Sequence, residues 1–333
     1  MSTRLPRVTV ITTGGTIASA IDPATGAAVI MMTGAHLAAL LPGIERRAEV
    51  TVREHSLLPS FNVTPAFMLE LSQAVDAALD AGADGIVISH GTDTLEETAF
   101  WLDLTLDIGT RRVPVVLTGA MRHNSQIGAD GPRNLFDAVT VAAHGIGSCL
   151  APMVVANGQI HAARHVVKTD SFNVATFQSV GAGPVGHVFG DEVAYAQRQV
   201  PARQPLAVQR GDARVPLLKW AAGMDDFLLR ACLDAAVDGV VIEGFGLGHV
   251  PGAVVPAIAA LRRQNIPVVM TTRCLSGPTL PTVYGGAGAG PDMLELGVIF
   301  ARHLPGPQAR LLLIAALGTP VGQGDLAAIF SEG

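Results

Sequence analysis

The chain has 333 residues, 49% of them hydrophobic and 15% charged, enough apolar content to bury one large core or two moderate ones and to exclude disorder. A net charge of −6 without any basic run argues against nucleic acid or anionic lipid as partner, and no apolar run approaches the roughly 20 residues that cross a bilayer. The residues after Arg7 form a short β-rich run and not a signal core, so a cytoplasmic protein with a small-molecule ligand is expected.

In chain order, β-branched runs alternate with alanine- and leucine-rich helical stretches: Val8 to Thr12, Met68 to Ala81, Gly85 to Ser89, Leu95 to Asp107, Val113 to Thr118 and Leu135 to Ala143. This rhythm predicts a doubly wound α/β sheet of mainly parallel strands, apolar on both faces. The theme returns in the second half, where Ala83 to Ile88 is echoed by Val237 to Ile242, and a Val-Pro-Val-Val strand near Val113 by an Ile-Pro-Val-Val strand near Ile266. Two α/β units are expected: a larger Rossmann- or flavodoxin-like domain over 1–195, a proline- and arginine-rich connection over 196–216 with the boundary near 205, and a smaller domain over 217–333. The cysteines, Cys149, Cys232 and Cys274, are scattered, form no C-x-x-C pair and read as reduced core residues.

Three strand ends carry small and polar residues. Thr12-Thr13-Gly14-Gly15-Thr16 takes the first strand into a glycine turn with a hydroxyl at its tip, where a plain capping threonine is the simpler reading. The turn fits neither Gly-x-Gly-x-x-Gly nor a phosphate loop, which lowers the weight of nucleotide binding. Ser89-His90-Gly91-Thr92-Asp93-Thr94 places polar groups at a helix N-terminus, where free N–H groups favour a carboxylate or oxyanion. A capping box of Thr94 and Glu97 would account for those two residues and leave Thr92 and Asp93 without a role. Thr118-Gly119-Ala120-Met121-Arg122, followed by Asp130 to Leu135, is the third.

Only Lys168 and Lys219 are lysines among the 22 basic residues. Lys168 follows an apolar pair, and a desolvated lysine, unlike arginine, can serve as a base; a snorkelling surface lysine is the competing reading. His161 and His165 have helical spacing but lack a third ligand, so no metal site is expected. His90 reads as packing its loop at least as readily as acting in catalysis.

These segments resemble the bacterial-type asparaginases and glutaminase-asparaginases. Residues 12–18 (TTGGTIA) and 85–95 (GIVISHGTDTL) are similar to that family's two signature segments, and TGAMR, ADGPRNL and KTDSFNVATFQS follow in the same order. The resemblance implies a two-domain α/β amidohydrolase acting on L-asparagine, with some glutaminase activity, no cofactor or metal, and a homotetramer built from intimate dimers. Carried over residue by residue, it implies Thr16 as nucleophile on a mobile loop, Thr92, Asp93 and Lys168 as the second catalytic group, and Ser60 as a substrate-carboxylate contact. Asp93 would also hold the α-amino group, and Gly15, Gly91 and Ala120 would line the substrate.

The sequence departs from the family in four places. No tyrosine lies between Ala18 and Met32, Phe61 stands where many members have glutamine, His249 stands where a neighbouring subunit offers asparagine, and no glutamate falls clearly at the intersubunit acid position. Tyr284 from a partner subunit is the expected replacement for the missing phenol. Backbone N–H groups near Thr92 and Ala120 are expected to form the oxyanion hole, and the loop around Gly26 to close over substrate. A non-catalytic amino-acid sensor would not require both threonines and the lysine. A tRNA-linked amidotransferase subunit would carry a further N-terminal domain and a basic surface, and a dehydrogenase would need the glycine fingerprint.

Overall fold

Runs of Val and Ile set the frame of the first unit because β-branched side chains fit a pleated surface packed on both faces. The computed structural model describes residues 4–15, 19–21, 28–30, 41–196, 199–322, 324 and 326–331, of which 19–21 and 28–30 are described as backbone alone. Strands β1 (Arg7–Thr12), β4 (Glu49–Glu54), β5 (Gly85–Ser89), β6 (Val115–Thr118) and β7 (Met153–Ala156) pair in parallel in the order β4-β1-β5-β6-β7. The hairpin of β2 (Ser19–Ile21) and β3 (Ala28–Ile30) interrupts the connection from β1 to β4.

Beyond β7 the sheet turns antiparallel through β8 (Gln159–Ala162), β11 (Gly186–Phe189) and β12 (Glu192–Tyr195), while β9 (Val167–Lys168) and β10 (Phe177–Gln178) form a separate short ladder. Asn157 and Gly158, with φ of 51° and 72°, make the two-residue turn between β7 and β8. His161 therefore lies on a strand, which corrects the helical spacing expected for it and His165.

The sheet is covered on both sides. α4 (Gly131–His144) packs with Val10, Val87 and Val116 on one face. On the other, α1 (Pro65–Asp80) and α2 (Leu95–Thr105) pack with Ile11, Ile86, Ile88 and Leu117. The one-turn helix α3 (Ile108–Arg111) is capped by Asp107. α1 and α4 begin earlier than their apolar periodicity suggests, because Pro65 and Pro132 occupy first-turn positions where no intrahelical N–H is required.

The chain divides into two compact units, Met1–Pro205 and Leu206–Gly333. The second is a parallel sheet, β13 (Leu217–Lys219), β14 (Val240–Gly244), β15 (Val268–Thr272) and β16 (Ile299–Phe300), paired in chain order. α5 (Phe227–Asp234) and α6 (Val255–Arg263) share its core with Ile242 and Met270; α7 (Gly290–Glu295), α8 (Gly306–Leu317) and α9 (Leu326–Ser331) complete the described α-helices. Cys149 and Cys232 are buried and free, whereas Cys274, expected in the core, is exposed on the turn after β15. Among the described residues no helix is long and apolar enough to cross a membrane.

Candidate active site

In the first unit the strand order reverses between β1 and β5: the chain leaves β1 for β4 on one side and returns to β5 on the other. Loops at the carboxyl ends of strands diverge at such a switch point, the usual ligand position in open α/β sheets. Of the candidate residues, Gly15, Ser60, Gly91, Thr92, Asp93, Ala120 and Lys168 gather there.

Thr13, directly after β1, donates from its backbone N and its hydroxyl to the Ser89 carbonyl, 3.0 Å each, which ties this loop to the end of β5. Gly14 and Gly15 then adopt φ of 102° and 86°. A Cβ on Gly15 would overlap the Gly91 backbone, and one on Gly91 would come within 2.6 Å of Ser60 Oγ. Two loops thus meet backbone to backbone and the third brings the Ser60 side chain against Gly91, so glycine is required where they touch. Thr16 and Gly26, on which the expectations of a nucleophile and a closing loop fall, lie outside the described residues.

Ser60 is buried beneath the start of α2. Its Oγ accepts from the Asp93 backbone N at 3.2 Å, and its carbonyl accepts from Thr94 Oγ1 at 2.7 Å. Thr94 is the N-cap residue but gives its hydroxyl to Ser60 and accepts nothing from the helix, so its half of the alternative capping box is not made. Phe61 is exposed beside it.

Lys168, the last residue of β9, reaches this loop from 75 residues further along the chain. Its Nζ donates to Thr92 Oγ1 at 2.9 Å and to Asp93 Oδ1 at 2.8 Å, and its side chain is 16% exposed. This geometry replaces the surface-lysine reading. The lysine backbone is held as well: its N–H donates to the carboxylate of Glu96, in the first turn of α2. Burial pushes the Glu96 carboxyl up to about 7; the bond from Lys168 N opposes the rise, the neighbouring Glu97 adds to it, and the Lys168 charge opposes it.

His90 is packed inside and structural. Its Nδ1 donates to the Gly91 carbonyl at 2.7 Å and its Nε2 accepts from Thr98 Oγ1, 3.1 Å away. Burial lowers its pKa to about 4, so the ring is neutral and braces the loop that carries Thr92. His161 is likewise buried, bonds Ser179 Oγ at 2.9 Å and is lowered to about 4, chiefly by burial. Among the described residues no group of three His, Cys, Asp or Glu side chains could hold a metal ion.

Ala120 is buried just past β6, in a loop fixed by residues that sequence reasoning left without a role. Asp130 accepts from the N–H groups of Met121 and Arg122 at 3.0 and 2.9 Å. Asn134 donates to the Gly119 carbonyl at 2.9 Å and accepts from Asn157 N at 2.9 Å, so α4 clamps the loops after β6 and β7. Glu96 was also missed, since the spacing from Thr94 draws attention to Glu97. His249 and Tyr284 lie in the second unit with their rings edge to face, centroids 5.7 Å apart, and Tyr284 is exposed.

Comparison with known proteins extends over nearly the whole chain. Residues 7–201 match the family described as Asparaginase, N-terminal, and residues 214–330 the Glutaminase/Asparaginase C-terminal domain. The chain is 40% identical over 341 residues to the probable L-asparaginase of Deinococcus radiodurans, with 100% of this chain and 99% of that protein covered. It is 35% identical over 331 residues to a glutamyl-tRNA(Gln) amidotransferase subunit of Halobacterium salinarum, covering 94% of this chain and 75% of that one. The crystal structure of the probable cytoplasmic L-asparaginase from Campylobacter jejuni matches with a TM-score of 0.85 at 28% identity, covering 98% and 99% of the two chains. Both domain families are matched in order, with a full-length relative well above chance identity, and the chain belongs to the asparaginase family.

Proposed function

We propose that the protein hydrolyses L-asparagine to L-aspartate and ammonia, with Thr16 as nucleophile and Thr92, Asp93 and Lys168 as the second catalytic group. The observation that carries this reading is the placement of Lys168 Nζ within 2.9 Å of Thr92 Oγ1 and 2.8 Å of Asp93 Oδ1 at the strand-order switch point. The family and its named asparaginase relatives support the reaction class and substrate.

Thr16 Oγ adds to the side-chain amide carbon, and Lys168, acting through Thr92, serves as base. Nitrogen leaves as ammonia with a proton returned from this group, and water then cleaves the threonyl ester to release aspartate. Backbone N–H groups near Thr92 and Ala120 stabilise the oxyanion, each such donor contributing ~3 kcal/mol, on the order of a hundredfold in rate. Ser60 and Asp93 hold the substrate carboxylate and α-amino group, and Gly15 and Gly91 leave room for it. Glutamine, longer by one methylene, is a poorer substrate by ~1–3 kcal/mol.

The working form is a cytoplasmic homotetramer of intimate dimers, in which Tyr284 of a partner subunit supplies the phenol missing from the loop after Thr16 and His249 takes the place of an intersubunit asparagine. The exposure of Tyr284 and its contact with His249 support this part.

The test is ammonia release from free L-asparagine and L-glutamine, without tRNA, by the wild type and Thr16→Ala. Release on asparagine that disappears in the variant is expected. A folded wild type silent on both amides, or a Thr16→Ala enzyme at full rate, overturns the reading.

A further inference from the structure

Lys168 is held at both ends by one short stretch of chain. Its ammonium meets Thr92 and Asp93 in the loop after β5, and its backbone N–H meets the carboxylate of Glu96, one helical turn beyond Asp93. β9 is only two residues long and pairs with an equally short β10, with Lys168 opposite Phe177. So short a ladder fixes position weakly by itself. The bond to Glu96 docks the lysine's own residue onto α2, a helix with Leu95, Ala99 and Leu102 anchored in the core.

We propose that Glu96 is a positioning residue for the reaction: its carboxylate fixes the backbone of Lys168 so that the ammonium reaches Thr92, and the proton on that carboxyl sets the pH range in which the lysine is held in register. The inference rests on the proposed role of Lys168. The ionised carboxylate makes a charge-assisted hydrogen bond to Lys168 N and also attracts the Lys168 charge. Protonated, it keeps only a neutral acceptor oxygen, and the grip loosens. The carboxyl loses its proton at about 7, so the change falls at neutral pH. The charges acting on it are Lys168 from β9 and Glu97 on its own helix. The strands packed against α2, β6 and β7, carry no charged residue, and the acidic side chains of α1 (Glu70, Asp76 and Asp80) do not act on it.

This role differs from that of a structural brace such as His90. A brace lost to substitution lowers stability or the amount of active enzyme at every pH alike. Glu96 is expected to change kcat, to leave KM nearly untouched, and to write an inflection into the pH profile.

The experiment measures kcat and KM for ammonia release from L-asparagine by the full-length protein at pH values from about 5.5 to about 8.5, a range that brackets a neutral inflection. Wild type, Glu96→Gln, Glu96→Ala and Lys168→Met are compared. In the wild type kcat rises as pH rises through about 7. Glu96→Gln keeps an acceptor oxygen that cannot ionise, so the inflection disappears while substantial activity remains. Glu96→Ala loses on the order of tenfold in kcat, the worth of a hydrogen bond to a charged group, with KM changed less than about twofold.

A Glu96→Gln enzyme that keeps both the wild-type inflection and the wild-type kcat overturns the proposal, as does Glu96→Ala at full kcat. If Glu96→Ala does not fold, the Glu96→Gln profile decides alone. Lys168→Met separates the role of the lysine from that of Glu96: an active Lys168→Met enzyme sinks the role of the lysine itself. An inactive one beside an unchanged Glu96→Gln profile sinks only the positioning role.

Discussion

The chain has two lysines, and each closes a short strand beside a carboxylate. Lys219 ends β13 with its Nζ 3.4 Å from Glu243 and 66% of its side chain exposed. An ion pair in that setting contributes ~0–1 kcal/mol and is screened by salt. Lys168 ends β9 with 16% exposure, a closer carboxylate in Asp93, and the Thr92 hydroxyl as a second partner. Pairing with an acid is common to both. The hydroxyl and the withdrawal from water set Lys168 apart, a geometry suited to acid–base work.

The carboxylates differ in the same sense. Glu243 lies against the first turn of α8, where a Cβ on Gly306 would strike its side chain, and a negative charge there is favoured by the helix N-terminus. It serves the fold of the second unit. Asp93, also at the start of a helix but half exposed, turns its carboxylate toward Lys168, while its backbone N–H donates to Ser60 Oγ.

The sharpest way to break this contrast is to remove the hydroxyl. Thr92→Val keeps the shape of the side chain and is expected to lower kcat for ammonia release by roughly 10²–10⁴-fold, the usual worth of a positioned proton-transfer group. Full turnover would reduce Thr92 to a packing residue.

Glycines sharpen it further. Gly15→Ala must place a Cβ into the Gly91 backbone at a φ of 86°, and should cost ~1–3 kcal/mol in urea unfolding together with a fall in kcat/KM of at least about tenfold. Gly306→Ala should lower stability while leaving KM unchanged. An active-site defect in Gly306→Ala and none in Gly15→Ala would reverse the assignment of the two regions.

How much of this the sequence revealed depends on the range of the interaction. β5 and the alternation of strands and helices were legible because apolar periodicity is local. The start of α1 was not, since Thr64 and Pro65 define it without apolar residues: Thr64 Oγ1 accepts from Phe67 N at 3.3 Å. The antiparallel turn of the sheet had a readable signal, Asn157-Gly158, that the helical spacing of His161 and His165 obscured. The contact of Lys168 with Thr92 and Asp93 spans some 75 residues and has no local pattern, so resemblance to the family supplied it. Glu96 escaped both routes. α2 is buried nearly all round, so no polar face marks which of two adjacent glutamates turns toward Lys168.

Acid stability offers a smaller effect. His90 stays neutral in the fold down to about 4 but titrates near 6.5 when unfolded. Between these values the unfolded chain binds the extra proton, so stability is lost as pH falls from about 6.5 to about 4, by up to about 3 kcal/mol for this residue. His161 acts in the same direction, and Glu96, raised to about 7, in the opposite one between about 4.5 and 7. Urea midpoints across this range should fall toward acid in the wild type and fall less in His90→Gln. An equal slope in both would remove His90 from the account.

The smallest expected effect distinguishes the cysteines. Exposed Cys274 should react with a thiol reagent in the native protein without change in stability, while buried Cys149, whose thiol burial pushes up to about 12, and Cys232 react only on unfolding. Immediate reaction of all three thiols would contradict the burial described for the two cores.

The central claim is that one lysine works and the other does not, and it is tested most directly by kcat for ammonia release from L-asparagine in Lys168→Met and Lys219→Met. A loss on the order of 10³-fold is predicted in the first and wild-type turnover in the second. Wild-type turnover in Lys168→Met, with the fold intact, would contradict it.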